Sequence, residues 1–115
     1  MSASLPNFSL TEVSNAIRRQ ESTSRAATEC LLARIAEVQP KVNCFISLEA
    51  DAALNAADRA DEEILEGRWR GPLHGVPLAH KDAFDRTGKI TTAGSKVLDQ
   101  PARFSATIME RLKAA

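Results

Sequence analysis

Two cysteines are all that 115 residues provide, Cys30 in a helical pattern and Cys44 in a strand pattern. Such a pair makes neither a disulfide framework nor a metal spacing, so two reduced and mostly buried thiols are expected. Charge of one sign is lacking as well. Fifteen Lys and Arg are matched by 15 Asp and Glu, which removes the basic surplus of a nucleic-acid binder and leaves no acidic tail. No apolar run is long enough to cross a bilayer, and the opening MSASLPNFSLTEV has neither the basic nor the apolar region of a secretory leader. A cytoplasmic protein is expected, one that binds neither a membrane nor, directly, a nucleic acid. Repeats and low-complexity stretches are missing too.

What remains is one domain's worth of chain with clear helical signals. Ser9 and Glu12 form a capping box, with Phe8 and Val13 as its hydrophobic staple, and Leu10, Val13 and Ile17 share the face behind it. A second helix starts near Thr23 or Ser24, carries Ala27, Leu31, Ile35 and Val38 as its stripe, and is expected to stop before Pro40. VNCFISL then alternates and favours a short strand. A third helix, about Glu49 to Glu66, shows a narrow face of Ala53, Ala57, Ala60 and Ile64, with Gly67 placed to cap its end.

The composition changes at Gly71, where Gly and Pro punctuation leads into VPLAHKDAF, expected to be a strand. Alternation sends Val76, Leu78, His80 and Asp82 to one face and Pro77, Ala79, Lys81 and Ala83 to the other. Lys81 thus shares its face with small apolar residues. Partial burial there would favour the neutral amine, a form able to accept a proton. An edge lysine that blocks aggregation, or one paired with an acid, fits the same pattern. Beyond it, RTGKITTAGSKVLDQPARF reads as loop with room for one short strand, and Ser105 is the expected N-cap of a last helix bearing Ile108, Met109 and Leu112.

Two other chemistries fail on spacing. A phosphate loop built on Gly88 and Lys89 would need Ser or Thr where Ile90 stands and Gly where Ala83 stands. His74 and His80, even with Asp82 and Asp85 nearby, match no metal-ligand spacing, so no metal is expected.

GPLHGVPLAHKD at 71–82, with TTAGS at 91–95, closely resembles the paired motifs of the amidase signature family. The helical stretch before them and SATIMERLKAA after them are similar to the same enzymes. The resemblance implies an α/β fold, a mixed sheet covered by helices, of which residues 1–115 would be the N-terminal part, with 1–70 mainly helical and 71–115 holding a strand, a loop and a helix. It implies that Lys81 is the base of a Ser, cis-Ser, Lys triad that cleaves carboxylic amides without metal or organic cofactor. The family's two serines lie in a Gly/Ser-rich stretch further along, and no GSSGG-like segment occurs here. The chain by itself is therefore expected to be inactive. Ser95 matches a loop residue of the family, and Thr91, Thr92 and Ser95 are expected to hydrogen-bond within that loop, with Gly94 relieving its backbone. His74 and Gly75 are expected to shape a turn, and Asp82 to serve structure. His80 departs from the branched aliphatic of many relatives and is given no catalytic role.

Three readings of function follow from the resemblance: an amidohydrolase acting on a small amide, the A subunit of a glutamyl-tRNA(Gln) amidotransferase working with other subunits, or a non-catalytic truncated domain. The partner under the first reading is the small-molecule substrate, with a second copy of the chain left open.

Overall fold

Ser9 opens α1 (Leu10–Arg18) through the expected reciprocal bonds: its N–H donates to Glu12 Oε2 at 2.7 Å and its Oγ accepts from Glu12 N at 3.3 Å. The computed structural model describes residues 7–115. The Ser9 N–H, together with the Ser9 hydroxyl that donates to Glu12 Oε2 at 2.8 Å, holds the Glu12 carboxyl below its ordinary pKa. At the other end Gln20, at φ 58, turns the chain, with Gln20 N donating to Ile17 O and Glu21 N to Ala16 O. That is a Schellman ending without glycine.

Thr23 caps α2 (Ser24–Val42) by accepting from Ala26 N at 3.0 Å. The carboxylate of Asp61 takes the next two orphan amides, Ser24 N at 2.7 Å and Arg25 N at 2.9 Å. Asp61 belongs to α3 (Ala50–Leu65), which packs against α2. Arg25 adds an ion pair to Asp58 at 2.8 Å. The expected small-residue face of α3 is the one that goes inside, with Ala57, Ala60 and Ile64 buried. Its end is a complete Schellman motif: Gly67 N donates to Ile64 O and Arg68 N to Glu63 O.

Two expectations fail around residue 40. Helix α2 runs through Pro40 to Val42, forfeiting the hydrogen bond a proline cannot donate. The strand expected over 42–48 is absent. Asn43 adopts the left-handed conformation at the helix end, and the Gln39 side chain then takes the local polar groups: its Oε1 accepts from Cys44 N and Phe45 N, both at 3.1 Å, and its Nε2 donates to Phe45 O at 2.8 Å. Groups that a sheet neighbour would have bonded are thereby occupied. Cys44 is exposed and Cys30 half-buried, so the expectation of two mostly buried thiols does not hold for Cys44.

The chain divides into two compact units, one ending at Pro77 and the other covering Leu78–Ala115. The first is built on Val13, Ile17, Ala27 and Ile64, with Trp69 and Val76 packed against them and the Arg18 guanidinium 4.6 Å from the Trp69 ring centroid. In the second, α4 (Thr107–Ala114) starts at Ala106 and not through a Ser105 cap; the Ser105 Oγ instead accepts from Thr87 N at 2.9 Å. The mixed sheet is not found among the described residues. Two isolated bridges, Thr87 with Ala102 and Ile90 with Pro101, are the β pairing they show. VPLAHKDAF is not a strand: residues 76–81 pair with no neighbouring strand among the described residues, and a turn then begins at Lys81, with Phe84 N donating to Lys81 O at 3.4 Å. Among the described residues no helix is long and apolar enough to cross a membrane.

Candidate functional site

The GPLHG turn is held to the first unit by side chains far away in sequence. Ser14 Oγ on α1 donates to Pro72 O at 2.6 Å, and Ser24 Oγ on α2 donates to Gly75 O at 2.5 Å. Between these points His74 is 1% exposed. Its Nδ1 accepts from Arg70 N at 3.0 Å, which in the neutral ring leaves the proton on Nε2. Nε2 lies 2.9 Å from Glu63 Oε2, but this approach lacks hydrogen-bond alignment, so it is a close polar contact and not a satisfied bond. Glu63 also meets Arg70 Nε at 3.3 Å. Helices α1, α2 and α3 thus all reach the turn.

Burial lowers the His74 pKa from its ordinary 6.5, the Arg70 charge lowers it further, and Glu63 opposes both. The folded chain therefore takes up this proton less readily than the unfolded chain. Stability from a neutral His74 is fully present above about 6.5 and is lost as pH falls through the lowered folded value. Urea melts followed by Trp69, the sole tryptophan, are expected to show a midpoint that declines as pH falls below about 6.5. His74→Gln should flatten that decline; an unchanged slope would remove His74 as its cause. The Glu12 contribution has the same sign but belongs to more acidic conditions, around and below 4.5.

Lys81 stands in the second unit, at the start of a turn, and its side chain is exposed. The partial burial expected from alternation is not provided by these residues, because there is no sheet to define a covered face. Next to it Asp82 is tied to the TTAGS loop twice. Its carboxylate oxygens each lie 3.3 Å from Thr92 N, and Oδ2 accepts from Thr92 Oγ1; its backbone carbonyl accepts from Ala93 N at 3.0 Å. Within the loop Thr92 Oγ1 accepts from Gly94 N at 3.2 Å, Thr92 O from Ser95 N at 2.8 Å, and Ser95 Oγ from Val97 N at 3.2 Å. Thr91 Oγ1 donates to Phe84 O at 3.4 Å. The two motif blocks are therefore joined directly, and the threonines and Ser95 bond within or beside the loop. His80 is exposed, its Nδ1 3.0 Å from Lys81 O.

The Amidase family profile matches residues 26–115, a stretch that includes Lys81, Asp82 and the whole TTAGS loop. The chain belongs to the Amidase family. The A subunit of glutamyl-tRNA(Gln) amidotransferase from Pseudomonas fluorescens strain SBW25 is 43% identical over 110 residues, covering 95% of this chain and 23% of that protein. The corresponding protein of Chloroflexus aurantiacus is 42% identical over 113 residues, 96% of this chain and 23% of its own length. A solved structure described as a vestigial protein complex, revealing the evolutionary origins of an s-triazine catabolic enzyme, superposes with a TM-score of 0.86 at 33% identity. It covers 93% of this chain and 24% of that one. The chain thus spans about a quarter of the length of these relatives.

Within this Amidase segment the structure separates two roles that the motif string runs together. GPLHG belongs to packing: its histidine is buried and its carbonyls are bonded by Ser14 and Ser24. Asp82 and TTAGS form the polar cluster, with Lys81 the residue before it. Sequence reasoning missed Ser14, Ser24, Asp61 and Glu63 as the residues that hold the turn and the start of α2. The serine bonds span 58 and 51 positions, and no local pattern signals such a pairing.

Proposed function

We propose that residues 1–115 are the N-terminal part of an amidase-signature domain and supply the general base, Lys81, of a Ser, cis-Ser, Lys triad that cleaves carboxylic amides. The family match across both motif blocks carries this reading. An amine base has to shed its proton readily, which calls for cover over its nitrogen. Lys81 is exposed in this segment, so the cover belongs to other parts of the domain, as do the two serines. The acyl-transfer route needs no metal or organic cofactor, and the cytoplasm is its proposed location.

A second reading has its own support in the curated relatives, which are components of amidotransferases. The same base would then serve a protein that works with partner subunits on glutamyl-tRNA(Gln). Assays of a full-length protein carrying this segment separate the two: turnover of benzamide or propionamide by the purified chain alone supports the amidohydrolase. Co-purifying subunits, with ammonia released from glutamine only in their presence, support the second.

Either way the isolated 115-residue chain is expected to hydrolyse no amide, because a base without a nucleophile and an oxyanion hole offers no acyl-enzyme route. It is also expected to bind ANS. Val97 and Phe104 are 83% and 81% exposed, and every hydrophobic residue of the buried core lies before Pro77. Hydrolysis by this chain that disappears in Ser95→Ala would place the nucleophile within these residues and refute the proposal.

A further inference from the structure

Lys81 carries the proposed chemistry from an irregular segment. A flexible four-carbon side chain acts at a defined point only if the backbone beneath it is fixed, and helices or strands usually do that. Neither is present at residue 81. On one side the Lys81 carbonyl accepts from Phe84 N at 3.4 Å and meets His80 Nδ1 at 3.0 Å, both local interactions. The link from the Lys81 turn to a separate loop comes on the other side, from residue 82.

We infer that Asp82, through its bonds to Thr92 and Ala93, is a positioning residue for the Lys81 amine. The inference rests on the reading of Lys81 as the base. Its carboxylate accepts from the Thr92 amide and hydroxyl, while its carbonyl accepts from Ala93 N at 3.0 Å. Side chain and main chain of one residue therefore grip two consecutive loop residues, which fixes the Asp82 backbone and the peptide unit after it, one residue from Lys81. Thr92 is the other half of the clamp. Its hydroxyl donates to Asp82 and accepts from Gly94 N at 3.2 Å, so one oxygen ties the carboxylate to the loop's own turn. Asp82 and Thr92 are both half-buried, which protects the clamp from full competition by water.

Valine at 92 keeps the shape of threonine and loses the hydroxyl, whereas serine keeps the hydroxyl. In a full-length protein carrying this segment, assayed on the amide it turns over, Thr92→Val is expected to lower kcat by about ten- to a hundredfold, with KM within about twofold. Thr92→Ser should restore most of the rate. Asp82→Ala should match Thr92→Val, and the double variant should be no worse than the poorer single one. Amide hydrogen exchange at Ala93 should accelerate in Asp82→Ala. Should that variant fail to fold, Asp82→Asn keeps nearly the same volume but replaces one of the two acceptor oxygens facing Thr92 with an NH2 donor, and is expected to lose part of kcat at unchanged KM.

An unchanged kcat in Thr92→Val, a rise in KM alone, a serine variant as poor as the valine one, or unaltered exchange at Ala93 would each overturn the positioning role. Lys81→Ala assayed alongside separates the possible failures. If it is inactive while Thr92→Val is normal, only the positioning role falls. If Lys81→Ala is active, the reading of the base falls and takes this inference with it.

Discussion

Lys81→Ala, placed in a full-length protein that carries this segment, is expected to reduce amide turnover by about 10²- to 10⁴-fold, the range that a positioned general base contributes. That is about 3 to 6 kcal/mol of transition-state stabilisation, at about 1.4 kcal/mol per tenfold. This segment should keep its fold, since within it the Lys81 side chain sits in a turn and takes no part in the buried core. Unchanged far-UV circular dichroism and melting midpoint, together with lost turnover of benzamide or propionamide, are the predicted signature. Lys81→Arg should be nearly as damaging, because a guanidinium keeps its proton and its planar head replaces a compact amine. A rate equal to that of the parent would remove Lys81 from the mechanism.

How much of this was legible beforehand depends on whether the determining interaction is local. The Ser9 and Glu12 capping box, the alanine face of α3 and the glycine after it are set by residues within a few positions of one another, and all three appear where periodicity placed them. The strand at 42–48 fails for a local reason that propensity ignores. Gln39 supplies the donors and acceptors a neighbouring strand would have supplied, and a glutamine six residues before Phe45 carries no known signature of that role. Gln20 is similar, ending α1 in a conformation for which glycine is the usual signal.

The site divides along the same line. Lys81 stands out from its apolar neighbours and from the motif around it, and the bonds from Asp82 to Thr92 run between residues only ten apart. The burial expected of Lys81 rested on a sheet, and a sheet face exists only where neighbouring strands pair. With two isolated bridges in place of strands, alternation along residues 76–84 defines no inside. The latch around GPLHG was illegible for the opposite reason. Its partners, Ser14 and Ser24, look like ordinary helix serines, and only the tertiary fold brings them to the carbonyls of Pro72 and Gly75.

The latch can be tested through a pair of glycines with nearly equal backbone angles in the same unit. Gly67 has φ +78 and nothing within 4 Å of where a Cβ would stand; Gly75 has φ +77, and a Cβ there would meet Ser24 Cβ at 3.0 Å, Ser24 Oγ at 3.2 Å and Ala60 Cβ at 3.5 Å. Gly67→Ala should therefore lose only the left-handed strain, about 1–2 kcal/mol. Gly75→Ala carries the same strain and adds a steric conflict with Ser24, for about 2–5 kcal/mol in all, since an added methyl in a packed site typically costs about 1–3 kcal/mol. Relief by moving Ser24 is not free. Its hydroxyl donates to Gly75 O at 2.5 Å and its amide to Asp61 at 2.7 Å, so displacement strains the bonds that hold the turn and the start of α2. Urea melts followed by Trp69 fluorescence give both numbers on the same probe, and the difference between the two variants isolates the contact from the backbone strain. Equal losses would mean that α2 yields easily at Ser24 and that the GPLHG turn is not pressed against it.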